Sequence, residues 1–368
     1  MGGEGPVHYC GMPVRELWIE GYRSVRSLRF ALAPVTVVVG PNGSGKTNVY
    51  RALQLLHAGA EGTLARTLAE EGGMPSVLWA GQRKKGEPAR LTVGVRLEDL
   101  SYELSCGVVP PPEGPFGLDP DVKEETVWAL EGKRRHVVAE RRSRSVFARD
   151  AEGHRTTFAV ELWGSESVLA QLVEPHRFPL LSALRAELLR WRFYHHFRTD
   201  LASPLRHPQV GVRTPALAHD GRDLAAALMT IDAIGDERAL HEAVDRAFPG
   251  SSLELDSEGG RFSFRMSMPG LRRSLEATEL SDGTLRYLCL LAALLSPRPP
   301  PFLALNEPET SLHPSLLEPL GRLIAHASRH SQVFVTTHAR ELSDALEQHA
   351  GASILPLRKD GGATELVE

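Results

Sequence analysis

The feature that most constrains this chain is a strand, a glycine loop and a helix in immediate succession. Val35 to Val39 (VTVVV) is a buried-strand run, Gly40 to Thr47 reads GPNGSGKT, and Asn48 to His57 (NVYRALQLLH) has helical periodicity. A run of that kind is a strand buried on both faces, which demands an α/β fold with helices covering a sheet. The loop fits the pattern G-x-x-x-x-G-K-[ST]. Gly40, Gly43 and Gly45 let backbone N–H groups turn inward around phosphate oxygens with no Cβ in the way, and Asn42, Ser44 and Asn48 belong to the same candidate set. Lys46 would reach the β- and γ-phosphates and Thr47 would offer a hydroxyl to Mg²⁺, at a helix end whose dipole favours anions. ATP and Mg²⁺ are therefore the expected ligands.

Two later strings extend this reading. Ser281-Asp282-Gly283 precedes an amphipathic run from Thr284 to Leu295, which places a hydroxyl and open N–H groups at a second helix N-terminus. Alone it would also suit a serine cap on an ordinary helix. In FLALNEPETSLHP, the apolar run Phe302 to Leu305 ends in Asn306 and Glu307, with Glu307 at a strand tip where it could orient and deprotonate water. A further apolar run, Gln332 to Val335, leads to His338, which is either a solvated loop residue or a γ-phosphate sensor.

The three strings together resemble the ABC-type ATPase heads of the RecF/SMC class, including the overcoming-lysogenization-defect (OLD) ATPases. The resemblance is best over Val14 to about Leu56 and Leu280 to about Leu346. It implies an α/β head with a P-loop mixed sheet and an antiparallel β-lobe, which dimerises around ATP. In that class Lys46 and Thr47 would contact phosphate and Mg²⁺, Glu307 would be the catalytic glutamate and His338 the switch histidine. Ser281 and Gly283 would touch the γ-phosphate of the partner subunit, and Ser311 to His313 matches the segment through which two heads communicate. Ile19 to Ser24 looks like the first-strand signature of such heads, making Arg23 and Ser24 nucleotide candidates, the alternative being a polar turn between two strands. Gln171 follows the β-lobe where such heads keep a Mg²⁺-sensing glutamine, the alternative being a polar helix surface. One departure stands out, since the class has aspartate where this chain has Asn306. A carboxamide lacks the charge that holds a hard cation, so weak Mg²⁺ binding or slow turnover is expected.

Composition suits a soluble cytoplasmic enzyme. At 368 residues and 42% hydrophobic the chain can bury a large core, and Cys10, Cys106 and Cys289 are too few and scattered for a disulfide framework or zinc site. The longest apolar run, Leu288 to Leu295, is far short of the roughly 20 residues of a membrane span. Residues 1–13 read as a flexible tail without the apolar region of a signal peptide.

About 235 residues separate Lys46 from Ser281 (281 minus 46), more than a transporter motor needs, and Pro110 to Pro115 would break a coiled coil. Strand-like alternation at 90–97, 102–109, 126–130, 136–139 and 156–162 marks a β-lobe over about 76–163. Helical spacing at 182–192, 221–234 and 237–248 marks an insert over 166–249 in place of a coiled coil, and 14–165 with 250–368 forms the discontinuous head. Net charge is −4, so any DNA binding rests on local clusters, Lys133 to Arg144 or Arg185 to Arg198. The alternatives are a solvated hairpin for the first and core aromatics for the second. After His338 thirty residues remain, too few for a nuclease domain, so any effector is expected on another polypeptide. Three readings follow: a dimeric ATPase acting on DNA in repair or phage defence, an ATP-gated scaffold for a partner effector, and, least favoured, a transporter motor.

Overall fold

The computed structural model describes residues 11–108, 116–132, 134–158 and 162–367. Most of the expected tail, Cys10, the Pro110 to Pro115 breaker, Lys133 and part of the strand expected at 156–162 lie outside these residues. The rest falls into two compact units, one of residues 34–37 and 192–354, the other of residues 11–33, 38–191 and 355 onward. The strand Val35–Val39 runs through the boundary.

In the first unit, the parallel strands Arg192–Tyr194, Phe302–Asn306 and Gln332–Thr337 pair in that order, and residues 35–37 lie beside the third. Phe193 stands opposite Ala304 and Leu305 opposite Val335. Every residue of Phe302–Asn306 and Gln332–Thr337 is buried, which is why both read as continuous apolar runs. In such a sheet the ligand end lies beyond the carboxyl ends of the strands. Glu307 and His338 follow two of those ends directly.

Arg192–Tyr194 was not foreseen. The helix expected at 182–192 is Pro179–Leu189, and the chain then turns into the sheet, so the segment 166–249 holds strands as well as helices. The helices Leu224–Ile234, Glu237–Ala247, Leu317–Ala327 and Arg340–Ala350 carry apolar faces into this unit. The helix Asp282–Leu294 is buried from Thr284 to its end, the core helix that its apolar run implies. An antiparallel pair, Ser252–Glu258 with Arg261–Ser267, is edged by Gln209–Val210 and Leu275–Glu276.

The second unit is built on one eight-stranded antiparallel sheet in the order Val25–Ala31, Glu16–Tyr22, Arg90–Arg96, Leu100–Val108, Pro120–Glu131, Arg134–Arg142, Ser145–Arg149, Arg155–Thr157. The β-lobe is therefore continuous with the first hairpin, because Glu16–Tyr22 pairs with both Val25–Ala31 and Arg90–Arg96. Arg23 and Ser24 occupy the turn of that hairpin, the polar-turn alternative. Across the sheet, Glu125 is buried and accepts hydrogen bonds from Tyr102 Oη (2.8 Å), Ser167 Oγ (2.5 Å) and Val168 N (2.8 Å). Burial raises its pKa, against those three donors and Arg141, which lower it. The helix Lys46–Glu61 buries Val49, Leu53 and Leu56, each contributing about 1.5–3 kcal/mol. Short helices at Leu64–Glu70, Met74–Val77 and Val168–Gln171 and a hairpin pairing Leu357 with Leu366 complete the unit. Among the described residues no helix is long and apolar enough to cross a membrane.

Candidate functional site

The phosphate loop of the second unit has the geometry its glycines predict. Gly43 and Gly45 sit at φ +80° and +106°, and a Cβ on Gly45 would fall 2.1 Å from Thr364 Oγ1. A Cβ on Gly40 would lie 2.6 Å from both Leu357 O and Ser44 Oγ. Gly45 caps the helix Lys46–Glu61 without any side-chain hydrogen bond, leaving the first turn open to the loop. Lys46 is 3% exposed, and its Nζ donates to the carbonyls of Gly40 (2.8 Å) and Pro41 (3.2 Å). Ser44 Oγ is buried without a hydrogen-bond partner among the described residues. A glycine cradle with a lysine and an orphaned hydroxyl fits a polyphosphate.

Ser24 does not face this cradle alone. Its Oγ is shared with Thr364 Oγ1 (2.8 Å) and accepts from Asn48 Nδ2 (2.8 Å), while Thr364 Oγ1 donates to Ser44 O (2.9 Å). Ser24 thus links Asn48 to the loop through Thr364. Arg23 is held elsewhere: its Nε and Nη2 donate to Glu71 Oε2 at 2.9 and 2.7 Å, and Tyr22 Oη donates to the same oxygen at 2.7 Å. Gln171 also has another task. Its Oε1 accepts from Trp163 N and its Nε2 donates to the carbonyls of Trp163 and Glu166, so the amide closes its own turn. Asn42 is exposed at the loop tip.

In the first unit, Asn306 is 1% exposed and both ends of its amide are taken. Oδ1 accepts from Thr336 Oγ1 at 2.7 Å and Nδ2 lies 2.7 Å from His195 Nδ1. Asn306 is thereby held between Thr336 and His195 with one lone pair of Oδ1 engaged, and the Thr47 hydroxyl is a suitable ligand type for Mg²⁺. Glu307 adopts φ +47°, rare for a side-chain-bearing residue, with its N–H bound to Thr336 O at 2.9 Å. Its Oε1 lies 3.9 Å from His338 Nδ1. Glu309, which the sequence reading passed over, is nearer to that ring, at 3.1 Å.

Ser281 caps the helix Asp282–Leu294, accepting from Thr284 N at 3.1 Å, while remaining exposed. A Cβ on Gly283 would stand 2.8 Å from Ser311 O, so this glycine is the one residue that lets the helix start approach the Ser311 to His313 segment. Two arginines fix the surroundings. Arg206, nearly buried, donates to the carbonyls of Thr199, Ala277, Thr278 and Leu280 and to Asp282 Oδ1 at 2.7 Å. Arg286 donates to the carbonyls of His195 and Glu307, both at 3.3 Å, and its burial lowers its pKa below the ordinary arginine value. Neither arginine had a sequence signal beyond its charge.

Many of the basic residues in the two clusters have local tasks. Arg141 is buried on the carbonyls of Ser143, Trp163 and Glu166, Arg142 pairs with Glu140 at 2.8 Å, and Arg135 stacks on Trp128. In the second cluster Arg198 pairs with Asp200 at 2.7 Å and Arg190 with Glu187 at 3.6 Å. Trp191, Phe193, Tyr194 and Phe197 are core residues.

A family model described as an AAA domain, putative AbiEii toxin, type IV TA system, matches residues 35–344. Comparison with curated proteins gives no significant match. Among solved structures, the chain is similar to an Smc head bound to the C-terminal winged-helix domain of ScpA, at 16% identity and TM-score 0.57, over 96% of this chain and 97% of that one. An Smc head with an extended coiled coil from Pyrococcus furiosus, bound to the C-terminal domain of ScpA, gives 15% identity and TM-score 0.55 over 96% and 95%. An Smc head with a coiled coil and joint from Pyrococcus yayanosii gives 13% and 0.56 over 96% of each chain. At such identities the likeness is one of fold. It agrees with the SMC-class resemblance of the three strings, and no coiled coil occurs among the described residues.

Proposed function

The chain belongs to the AAA-domain family described as putative AbiEii toxin of a type IV toxin–antitoxin system, and on that premise we propose an ATP-hydrolysing switch that closes as a homodimer around ATP and controls a separate effector protein. The observation that carries the nucleotide part is the glycine cradle with its orphaned Ser44 hydroxyl and buried Lys46. In this reading the loop N–H groups and Lys46 hold the polyphosphate, and Ser281 and Gly283 of the partner subunit close over its γ-phosphate. Glu307 orients the attacking water and takes its proton, and His338 stands on the same side of the reaction. Mg²⁺, when bound, would neutralise phosphate charge, with the Thr47 hydroxyl as its protein ligand. Closure follows from differential affinity, since ATP makes contacts across the dimer that ADP lacks.

The choice of a protein output over DNA is supported by the arginines of both basic clusters, many of which serve local hydrogen bonds and ion pairs. Two of the similar Smc heads carry a bound protein domain, which is the same kind of partner. A DNA-directed role in repair or phage defence keeps one observation in its favour, the exposure of Arg134 at the start of the strand Arg134–Arg142 and of Arg144 in the turn that follows it. Steady-state ATP hydrolysis, with and without single- and double-stranded DNA, separates the readings. Hydrolysis indifferent to DNA and lost in Lys46→Ala and Glu307→Gln is the expected result. Several-fold stimulation by DNA would move the assignment to the second reading, and no ATP binding by the wild-type chain would overturn both.

A further inference from the structure

The helices Glu237–Ala247, Asp282–Leu294 and Leu317–Ala327 of the first unit line a cavity of about 70 Å³. Glu242 and Arg246 share one face of the first helix at i,i+4 spacing, and Arg322 and His326 share one face of the third, so two arginines and a histidine stand against one carboxylate. That carboxylate is engaged by Arg238 at 2.6 Å, and Arg322 is held by Glu318 at 2.5 Å. Arg246, exposed in the last turn of its helix, forms no hydrogen bond or ion pair among the described residues. Beneath this rim Tyr287 is wholly buried, its ring edge-on to Phe248 at 5.5 Å, and its Oη has no hydrogen-bond partner among the described residues. Burial pushes the phenol pKa up, the Arg246 charge opposes that rise and Glu318 adds to it, so the Arg246 charge reaches this hydroxyl. A buried hydroxyl left without a partner is unfavourable, and a native one calls for an explanation. An oxyanion supplies it, because it only accepts hydrogen bonds and both the guanidinium and the phenol O–H donate. The volume suits one tetrahedral oxyanion, being about that of two waters and far below the roughly 300–1,000 Å³ of clefts that enclose drug-sized ligands.

We propose that this cavity binds a small tetrahedral oxyanion of the phosphate class, held by Arg246 and the Tyr287 hydroxyl with Arg322 and His326 at its rim. None of these residues belongs to the phosphate loop or to the strand ends that carry Glu307 and His338, so the inference goes beyond the ATPase reading and does not depend on it. Glu242 opposes the ligand, since its charge lies in the same lining.

The decisive measurement is calorimetric titration with inorganic phosphate at constant ionic strength. Because a phosphate loop also takes phosphate, every chain carries Lys46→Ala. The Lys46→Ala chain should bind phosphate saturably, with a Kd on the order of 1 mM. Adding Arg246→Ala should weaken binding by about tenfold or more, the loss of a charged donor. Tyr287→Phe removes only the hydroxyl, so it should melt no lower than its parent without phosphate and bind phosphate several-fold more weakly. Glu242→Gln should bind it more tightly, a gain that a merely structural role would not give. No saturable binding by the Lys46→Ala chain overturns the proposal, as does stabilisation against heat by sodium chloride equal to that by phosphate. Unchanged affinity in folded Arg246→Ala or in Tyr287→Phe overturns it as well, and should Arg246→Ala fail to fold, unchanged affinity in Glu242→Gln does the same. A wild-type chain that hydrolyses ATP while Lys46→Ala binds no phosphate would sink this site and leave the ATPase reading intact.

Discussion

Arg206 is where single-residue chemistry decides most. Its five hydrogen bonds tie the carbonyls of residues 277, 278 and 280, ahead of the Ser281 cap, to Asp282 just after it and to Thr199 in a distant segment. Removing the guanidinium strands carbonyls in a buried setting, at about 1–3 kcal/mol for each group left without a partner. Arg206→Ala should therefore melt at lower temperature and lose ATP-dependent dimerisation. Arg206→Lys should fall between, because an ammonium cannot reproduce the flat five-donor fork. Thermal denaturation together with light scattering in ATP tests both. Normal dimerisation of a folded Arg206→Ala chain would mean the turn holds its shape unaided.

Among elements, the antiparallel sheet of the second unit contains a built-in response to pH. Glu125 sits inside it with a pKa raised by burial above the ordinary carboxylate range. The folded state then binds this proton more tightly than the unfolded chain does. Its contribution to stability is fully present below the unfolded value and is lost as pH rises through the folded one. We expect the melting temperature to fall over that window, and Glu125→Gln to flatten the fall while keeping the sheet. A wild-type melting curve that does not differ from Glu125→Gln between pH 4.5 and 8 would show that Tyr102, Ser167 and Val168 stabilise the charged carboxylate fully. The sheet itself was legible as alternating residues, because a strand with one solvated face prints a period of two. The strand Ser145–Arg149 escaped that reading because Val146, Phe147 and Ala148 are apolar in succession, which hides the period of two.

At the scale of the whole molecule, the two-copy model places an exposed serine of one chain over the nucleotide of the other. Ser281→Arg puts a long cation at that position while leaving the phosphate loop untouched. The variant should bind ATP with unchanged affinity as a monomer but fail to dimerise in Glu307→Gln, where hydrolysis no longer dissolves the closed state. Sedimentation in ATP checks this, and a dimer of Ser281→Arg, Glu307→Gln would remove the γ-phosphate from the interface.

The sequence by itself determined the strand, glycine loop and helix at 35–57, the helix cap at Ser281, and the strand ends that carry Glu307 and His338. Each is specified by neighbours in the chain, through glycine φ angles, capping chemistry and the period of buried residues. Tertiary structure alone decided that Glu71 captures Arg23, that His195 faces Asn306 across 111 positions, that Gln171 closes its own turn, and that Arg206 grips a segment more than seventy residues away. Those outcomes depend on which polar groups are buried together, and a buried donor must find an acceptor wherever packing brings one. A motif records residue type and spacing, so it marked Asn306 as a departure from the class but could not show that its amide is held between Thr336 and His195.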